Sequence, residues 1–481
     1  MNHVFFMRDR NVSYPTSDEE YSPHQAYPEY PFSHLSKQDN KVYDMVRQGF
    51  WSLGLDAPHR GTPQWNPLGD LIQPGQNVLI KPNWVRHENE EPQLHDMECM
   101  VTHPSVIRAV LDYVVIALKG TGKITIADAP IQSCDFEKLM KGMHYNKLWA
   151  FYSRQNVPLT IKDLRDRIID SSAVNNTYHA TKNLETGILV NLGQQSAFGE
   201  IDAVRCGKFR ITSYDPDILL SHHADQKHEY LISRETLEAD VILNLAKPKS
   251  HRKAGLTACS KNLIGTCSRK EYLPHHSVGA PSEGGDEYLR KNFLRRLDGY
   301  CIDQYNRAAC GEAHGGSFYR LLHWVFGRMI RSSCTDAYAE GSWYGNDTIW
   351  RTIVDLNCIV QFADREGQIH PTPQRRLFHI CDMILTGEGE GPLLPSPKPI
   401  GGIVMGDENA AVDRFICALV GFDSQAIRYI APLMERVKLR TSDLVIVDAA
   451  ENKIPFDTYP FSDETYIQPA SGWVGHIEAQ H

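Results

Sequence analysis

Residues 77–85 read NVLIKPNWV, residues 102–118 read THPSVIRAVLDYVVIAL and residues 123–128 read KITIAD, and these three stretches decide the fold class. The first is a short apolar run fed by the turn Pro74-Gly75 and stopped at Pro82, the pattern of a buried strand. In the second, Thr102 or His103 stands at the cap and Pro104 takes the first helical position. Val106, Ile107, Val110, Leu111, Val114, Val115 and Leu118 then recur at the spacing that buries one helical stripe. Gly120 and Gly122 stop the helix, and a second strand follows. Strand, helix and strand make one βαβ unit, whose two strands are expected to lie parallel.

Further apolar runs at 241–245, 354–360, 377–385, 403–405 and 444–447 extend the strand pattern. Val412, Ile416 and Leu419 mark another amphipathic helix behind the cap candidate Asp407. The class is α/β: parallel-sheet lobes built from βαβ units, a ligand crevice at the strands' carboxyl ends, and a helical insertion. Residues 1–70, rich in Tyr, Pro, Ser and Asp, read as an arm lying on the surface or on a partner subunit, so a homo-oligomer is expected through it. Residues 71–270 form a first lobe. Residues 271–350 are Tyr-, Arg- and Gly-rich with helical patterning over 318–330, an insertion or cap. Residues 351–481 form a second lobe with a tail.

The 481 residues carry 50 Lys+Arg against 59 Asp+Glu, a net charge of −9, so bulk charge draws neither nucleic acid nor a membrane surface. A hydrophobic fraction of 42% fills sizeable cores. No run of about 18 apolar residues occurs, and the first residues lack a basic segment followed by an apolar one, so the cytoplasm is the expected location. Among eleven cysteines no pair is spaced C-x2-C or C-x4-C; no zinc ribbon and no iron–sulfur cluster is expected, and Cys259 and Cys267 read as small packers.

Five strand ends finish in groups suited to chemistry: Lys81-Pro82-Asn83, Asp128-Ala129-Pro130, Lys247-Pro248-Lys249, Thr386-Gly387-Glu388-Gly389 and Gly406-Asp407. Ligands bind at such ends in open parallel sheets. Lys81, Lys247, Lys249, His251 and Lys261 are basic, and two ammonium groups about 4 Å apart repel by roughly 4 kcal/mol at an effective dielectric near 20. Their convergence therefore requires an anion. Lys261 sits in ACSKNLIG (258–265), a segment short of charge where a lysine is part-buried with a depressed pKa. Asp382, Glu388, Glu390 and Asp407 surround the turn GEGEGP (387–392) and have three readings: Mg²⁺ ligation by Asp382, Glu388 and Asp407, pairing with the lysines, or structure alone. His222, His223 and His228 read as surface polarity. His275-His276 lies in a Pro/Ser/Gly loop, at most a lid.

The segments VLIKPNWV, VTHPSVIRAVL, KITIADAP, LNLAKPKSHRKAGLTACSKNLIG, ILTGEGEGPL and GIVMGDENAAVDRF together resemble the bacterial and archaeal family called domain of unknown function 362. Many members carry a ferredoxin-like module with four-cysteine boxes, which this chain lacks. The spacing His251-x-x-Ala254-Gly255-x-Thr257-x-x-x-Lys261 is also similar to a segment of the lactate racemase family. That resemblance implies His251 beside the reacting group and Lys261 as the covalent anchor of a nickel-pincer cofactor. Ala127 to Pro130 stand where such racemases place Thr-His-Arg, and the cofactor itself is not expected here.

The expected function is an enzyme acting on a small carboxylate or phosphate. Lys81, Asn83, Lys247, Lys249, Thr257 and Asn262 orient the anion, Lys261 and His251 act at the reacting centre, and Asp128 with the Glu388 turn positions a second polar group or a divalent cation. The reaction is isomerase- or racemase-like, or a group transfer. The alternatives are a non-catalytic metabolite-binding or scaffold protein and Mg-dependent phosphoryl transfer, the latter without a G-x4-G-K-[ST] cradle.

Overall fold

The computed structural model describes residues 2–90, 96–170, 177–224, 226–311, 314–333 and 338–479. In it the apolar runs assemble into one sheet. Its strands in chain order are β1 (Asn2–Arg8), β2 (Asn77–Pro82), β3 (Lys123–Asp128), β4 (Leu159–Asp163), β5 (Val241–Ala246), β6 (Lys249–His251), β7 (Gly255–Thr257), β8 (Arg376–Glu390), β9 (Leu394–Gly406), β10 (Leu444–Val447) and β11 (Lys453–Pro455). Across the sheet the order is β11-β10-β1-β9-β8-β5-β2-β3-β4, with β6 laid against the far end of β8 and β7 against β6. Seven strands of the main path run one way; β9 and β11 run the other.

The expected βαβ unit is present. β2 and β3 pair in parallel, Val78 opposite Ile124, and are joined through a helix at Pro104–Leu118 whose cap is His103. Because successive strand residues face opposite ways, β2, β3 and β5 feed two cores. Val78, Ile80, Ile124, Ile126, Val241 and Leu243 pack toward α1 (Lys41–Ser52) and α2 (Pro104–Leu118), whereas Leu79, Ala127 and Ile242 pack toward Leu263 and Val360. Fully burying each such branched side chain stabilises the fold by roughly 1.5–3 kcal/mol. The remaining helices used below are α3 (Cys259–Asn262), α4 (Phe293–Ala309), α5 (Gly316–Ser333), α6 (Ile349–Phe362) and α7 (Asn409–Leu419).

Three features differ from the sequence reading. The run 354–360 lies in helix α6, buried on nearly every side, and an apolar run of that length does not distinguish a buried helix from a buried strand. The two lobes share one sheet: β5 and β8, from either side of the insertion, pair in parallel from Val241/Arg376 to Ala246/Cys381. The amino-terminal arm is structural rather than peripheral, since β1 lies between β9 and β10 and α1 closes one face. Among the described residues no helix is long and apolar enough to cross a membrane.

The order of strands positions the site. From β2 the chain steps outward through β3 to β4, then returns to place β5 on the other side of β2. Strand order reverses at the β2–β5 boundary, and the carboxyl ends there open a crevice.

Candidate functional site

A cleft of about 410 Å³ opens at these strand ends, within the range of small-molecule sites. Its floor carries Asn83 after β2, Asp128 at the end of β3, Lys249 and His251 of β6, Thr257 of β7, and Lys261 and Asn262 of α3. Trp84, Ile131, Ile169, Ile211, Tyr214 and Leu393 supply much of the wall.

The backbone explains why these residues meet. β6 lies on the extension of β8, with Lys249 opposite Gly387. A Cβ at Gly387 would stand 2.8 Å from Pro395 Cβ and 3.0 Å from Lys249 Cβ, so glycine permits that approach. Residues 387–390 of the GEGEG run are therefore the end of a 15-residue strand, the turn itself is 391–393, and Pro392 and Leu393 in it line the cleft. Helix α3 is only four residues long and is held from outside. Asp413 of α7 accepts from the backbone N–H of Cys259 at 2.7 Å and of Ser260 at 2.9 Å. Burial pushes the Asp413 pKa up to about 6, against these hydrogen bonds. Asp413→Ala is expected to cost about 2–3 kcal/mol in denaturant unfolding and to loosen Lys261, since hydrogen bonds to a charged group contribute about 1.5–3 kcal/mol each.

Lys261 is the centre of the arrangement. Its Nζ has no hydrogen-bond or ion-pair partner among the described residues. Burial brings its pKa down to about 7, helped by Lys270, Lys81 and Lys253 and opposed by Asp128. Lys270, also buried in the cleft wall, falls to about 8, chiefly through burial. Lys249 is fully buried and donates to Asn83 Oδ1 at 2.5 Å and to the carbonyl of Lys247 at 3.0 Å; burial, then Lys247, drives its pKa well down. Lys253 reaches Glu340 only at 3.9 Å. Positive groups thus exceed the carboxylates able to neutralise them.

The two cleft histidines are set in opposite tautomers. His251 Nδ1 accepts from the backbone N–H of Lys253 and of Ala254, both at 3.1 Å, so the neutral ring carries its proton on Nε2. His275 Nδ1 donates to the carbonyl of Leu273 at 2.7 Å, leaving Nε2 as an acceptor. Burial holds both rings neutral, reinforced by Lys261 for His251 and by Lys253 for His275. Thr257 Oγ1 is buried without a hydrogen-bond partner among the described residues and lines the same space.

Of the residues named from sequence, Lys261, His251, Lys249, Asn83, Asp128, Thr257 and Asn262 line the cleft. Lys81 stands just behind it with every donor used: Asp128 Oδ1 at 2.7 Å, the Pro82 carbonyl at 2.8 Å and Asn262 Oδ1 at 3.3 Å. It holds the floor and leaves no proton for an anion. Asn262 is a strut, linking Lys81, Asn83 and Asn244. Lys247 faces away, buried against Asp382 at 3.1 Å and Tyr14 Oη at 2.6 Å, with Tyr14 stacked on His103.

The three carboxylates named for a metal do not meet. Asp382 pairs with Lys247, Glu388 accepts from the backbone of Gln468 at 2.9 Å, and Asp407 is exposed beyond β9. Gly406 pairs with His379, so Asp407 and Glu388 lie roughly 30 Å apart along the ladder. Among the described residues no group of three metal-ligating side chains occurs. His223 and His228 are buried rather than superficial, their rings 5.7 Å apart beside Phe198, because the short strands Lys227–Ile232 and His223–Ala224 fold over that ring. Cys259 and Cys267 are buried, as read.

Sequence reasoning did not single out Lys253, Lys270 or Asp413, and it set His275 in a Pro/Ser/Gly loop. Asp413 had a signal: it is a carboxylate, beside Arg414, inside the mainly apolar helical run AAVDRFICAL (410–419). Lys270 and His275 had none, since their approach depends on how 266–278 folds back over the strand ends.

The profile of the family described as a domain of unknown function (DUF362) matches residues 78–194 and 167–418. No match is found among curated proteins. Among solved structures, a protein from Thermotoga maritima is 12% identical, the similarity covering 82% of this chain and 59% of that one, at a TM-score of 0.31. This chain thus spans about 59% of that protein's length.

Proposed function

The chain belongs to the family described as a domain of unknown function (DUF362), a membership that assigns no reaction, and we propose that it is an enzyme acting on a small carboxylate or phosphate by proton transfer. The observation that carries this reading is Lys261: an amine with a pKa near 7 and no partner among the described residues, facing a cleft whose basic groups outnumber its carboxylates. Lys249, Lys253 and Lys270 attract the anionic end of the substrate. The neutral Lys261 amine removes a proton from the carbon next to it, breaking C–H and forming N–H, while the electron pair passes to the adjacent carbonyl oxygen. The Nε2–H of His251 donates to that oxygen as its charge develops. Delivery of a proton to the opposite face of that carbon, or to the neighbouring carbon, completes an isomerisation, whereas return to the same face gives exchange alone.

The test is solvent exchange. The protein is incubated in deuterated buffer with a panel of 2-hydroxy acids, 2-amino acids and phosphorylated sugars, and deuterium at carbon is followed by nuclear magnetic resonance. At substrate concentrations below saturation, exchange is expected with a rate that rises through about pH 7 as Lys261 of the free protein loses its proton. Lys261→Met is expected to slow it by roughly 10²–10⁴. An anion retained through purification but never exchanged would favour non-catalytic binding. Neither retention nor exchange would remove the anion site altogether.

A further inference from the structure

Helices α4 and α5 form a projecting pair outside the sheet. They pack on each other, with Tyr300 edge-on to Tyr319 and His323 paired to Asp298 at 2.6 Å. α4 is fastened to the cleft wall: Asp303 pairs with Arg210 at 3.0 Å, and Asn306 Nδ2 donates to the carbonyl of Thr212 at 2.9 Å. α5 has no buried residue among those described, although its sequence, GSFYRLLHWVFGRMIRSS, is rich in large apolar side chains. Phe318 is 59% exposed, Leu321 57% and Trp324 54%, with Met329 one to two turns further on. Phe293 of α4 is 71% exposed. So much exposed aromatic and aliphatic surface is costly in water and marks a docking face.

The charge on α5 identifies what docks. Arg320, Arg328 and Arg331 lie on the helix, and it contains no Asp or Glu, in a chain whose net charge is −9. Arg328 stands over the Trp324 ring at 4.6 Å. A second copy of the same helix would bring three more arginines against these three with no carboxylate between them. A bilayer surface carrying negative headgroups offers the opposite charge and an apolar layer beneath it. We infer that α5 lies on anionic phospholipid, its Phe318–Leu321–Trp324 side in the boundary between headgroups and acyl chains and its arginines among the phosphates. Bulk composition conceals this surface because the acidic residues are elsewhere in the chain.

Co-sedimentation of the full chain with vesicles tests it, using phosphatidylcholine alone and phosphatidylcholine with added phosphatidylglycerol. Binding is expected only to the second and should weaken as salt is raised. Phe318→Ser, Leu321→Ser and Trp324→Ser combined should reduce partitioning at least about tenfold, and each of Arg320→Gln, Arg328→Gln and Arg331→Gln by roughly fivefold. All these side chains are exposed, so an unchanged melting temperature is the control for folding. Absence of binding to either vesicle overturns the inference, as does equal binding to both. Self-association in analytical ultracentrifugation that the triple serine variant abolishes, without vesicle binding, also overturns it and assigns the face to a second copy.

Discussion

Asp128→Asn and Lys81→Met are each expected to lower the free energy of unfolding by about 3–5 kcal/mol, because each leaves the other member of a buried ion pair without its counter-charge. The pair is 2.7 Å apart and almost wholly withdrawn from water. Burial raises the Asp128 pKa and lowers that of Lys81, and the mutual attraction, the next largest influence on each, opposes it. Asp128 also accepts from the backbone N–H of Trp84 at 2.6 Å and of Ala129 at 2.8 Å, so it fixes the start of both loops that form the cleft wall. The double variant is expected to cost less than the sum of the singles by about 0.5–3 kcal/mol in denaturant unfolding. Strict additivity would show that the two groups do not act as a pair. Gly265→Ala should match the single variants in damage, since a Cβ there would lie 1.8 Å from Asp128 Oδ1 and 2.7 Å from Lys81 Nζ. Asp128→Asn has a second, separable effect: it removes a charge that raises the Lys261 pKa, so the exchange profile should move to lower pH.

The strand ends were legible in sequence because they rest on local rules. The run NVLIK before Pro82, KITIA before Asp128 and VILNLA before Lys247 each place their last residues at a carboxyl end, and β2, β3 and β5 do meet there. Which lysine faces the cleft was not legible. Lys81, Lys247 and Lys249 all follow apolar runs, yet Lys81 is saturated by Asp128, Lys247 turns to Asp382 and Tyr14, and only Lys249 lines the cleft. That choice depends on partners 47, 135 and 233 positions away, which periodicity does not report. The glycines of GEGEG misled for a related reason. Glycine marks flexible turns and close approach alike, and at Gly387 the approach of β6 governs. The amino-terminal arm was misplaced because β1 has no local partner: it pairs with β9 and β10, both from the last hundred residues of the chain.

Lys261→Met is expected to act in the opposite sense on stability and on function, which separates a reacting group from a structural one. The folded-state pKa of Lys261 is about 7 against an ordinary 10.5. The unfolded chain therefore holds the proton between these values and the folded chain does not. Stability of the unliganded wild type should rise with pH across that window, by up to about 1.4 kcal/mol per unit, and should carry the full deficit below pH 7. Methionine has no charge to desolvate, so at pH 7 the variant should be more stable than wild type by about 2–4 kcal/mol, with the difference vanishing above pH ~10.5. Proton transfer should fall by roughly 10²–10⁴ in the same protein. A bound anion reverses the electrostatics: it favours the ammonium form, so ligand binding near pH 8 should take up a proton in wild type and not in Lys261→Met, measurable by calorimetry in buffers of different ionisation enthalpy. If instead the variant loses stability at pH 7 as heavily as Gly265→Ala, Lys261 is holding the floor of the cleft together, and the positive cluster serves the fold rather than a ligand.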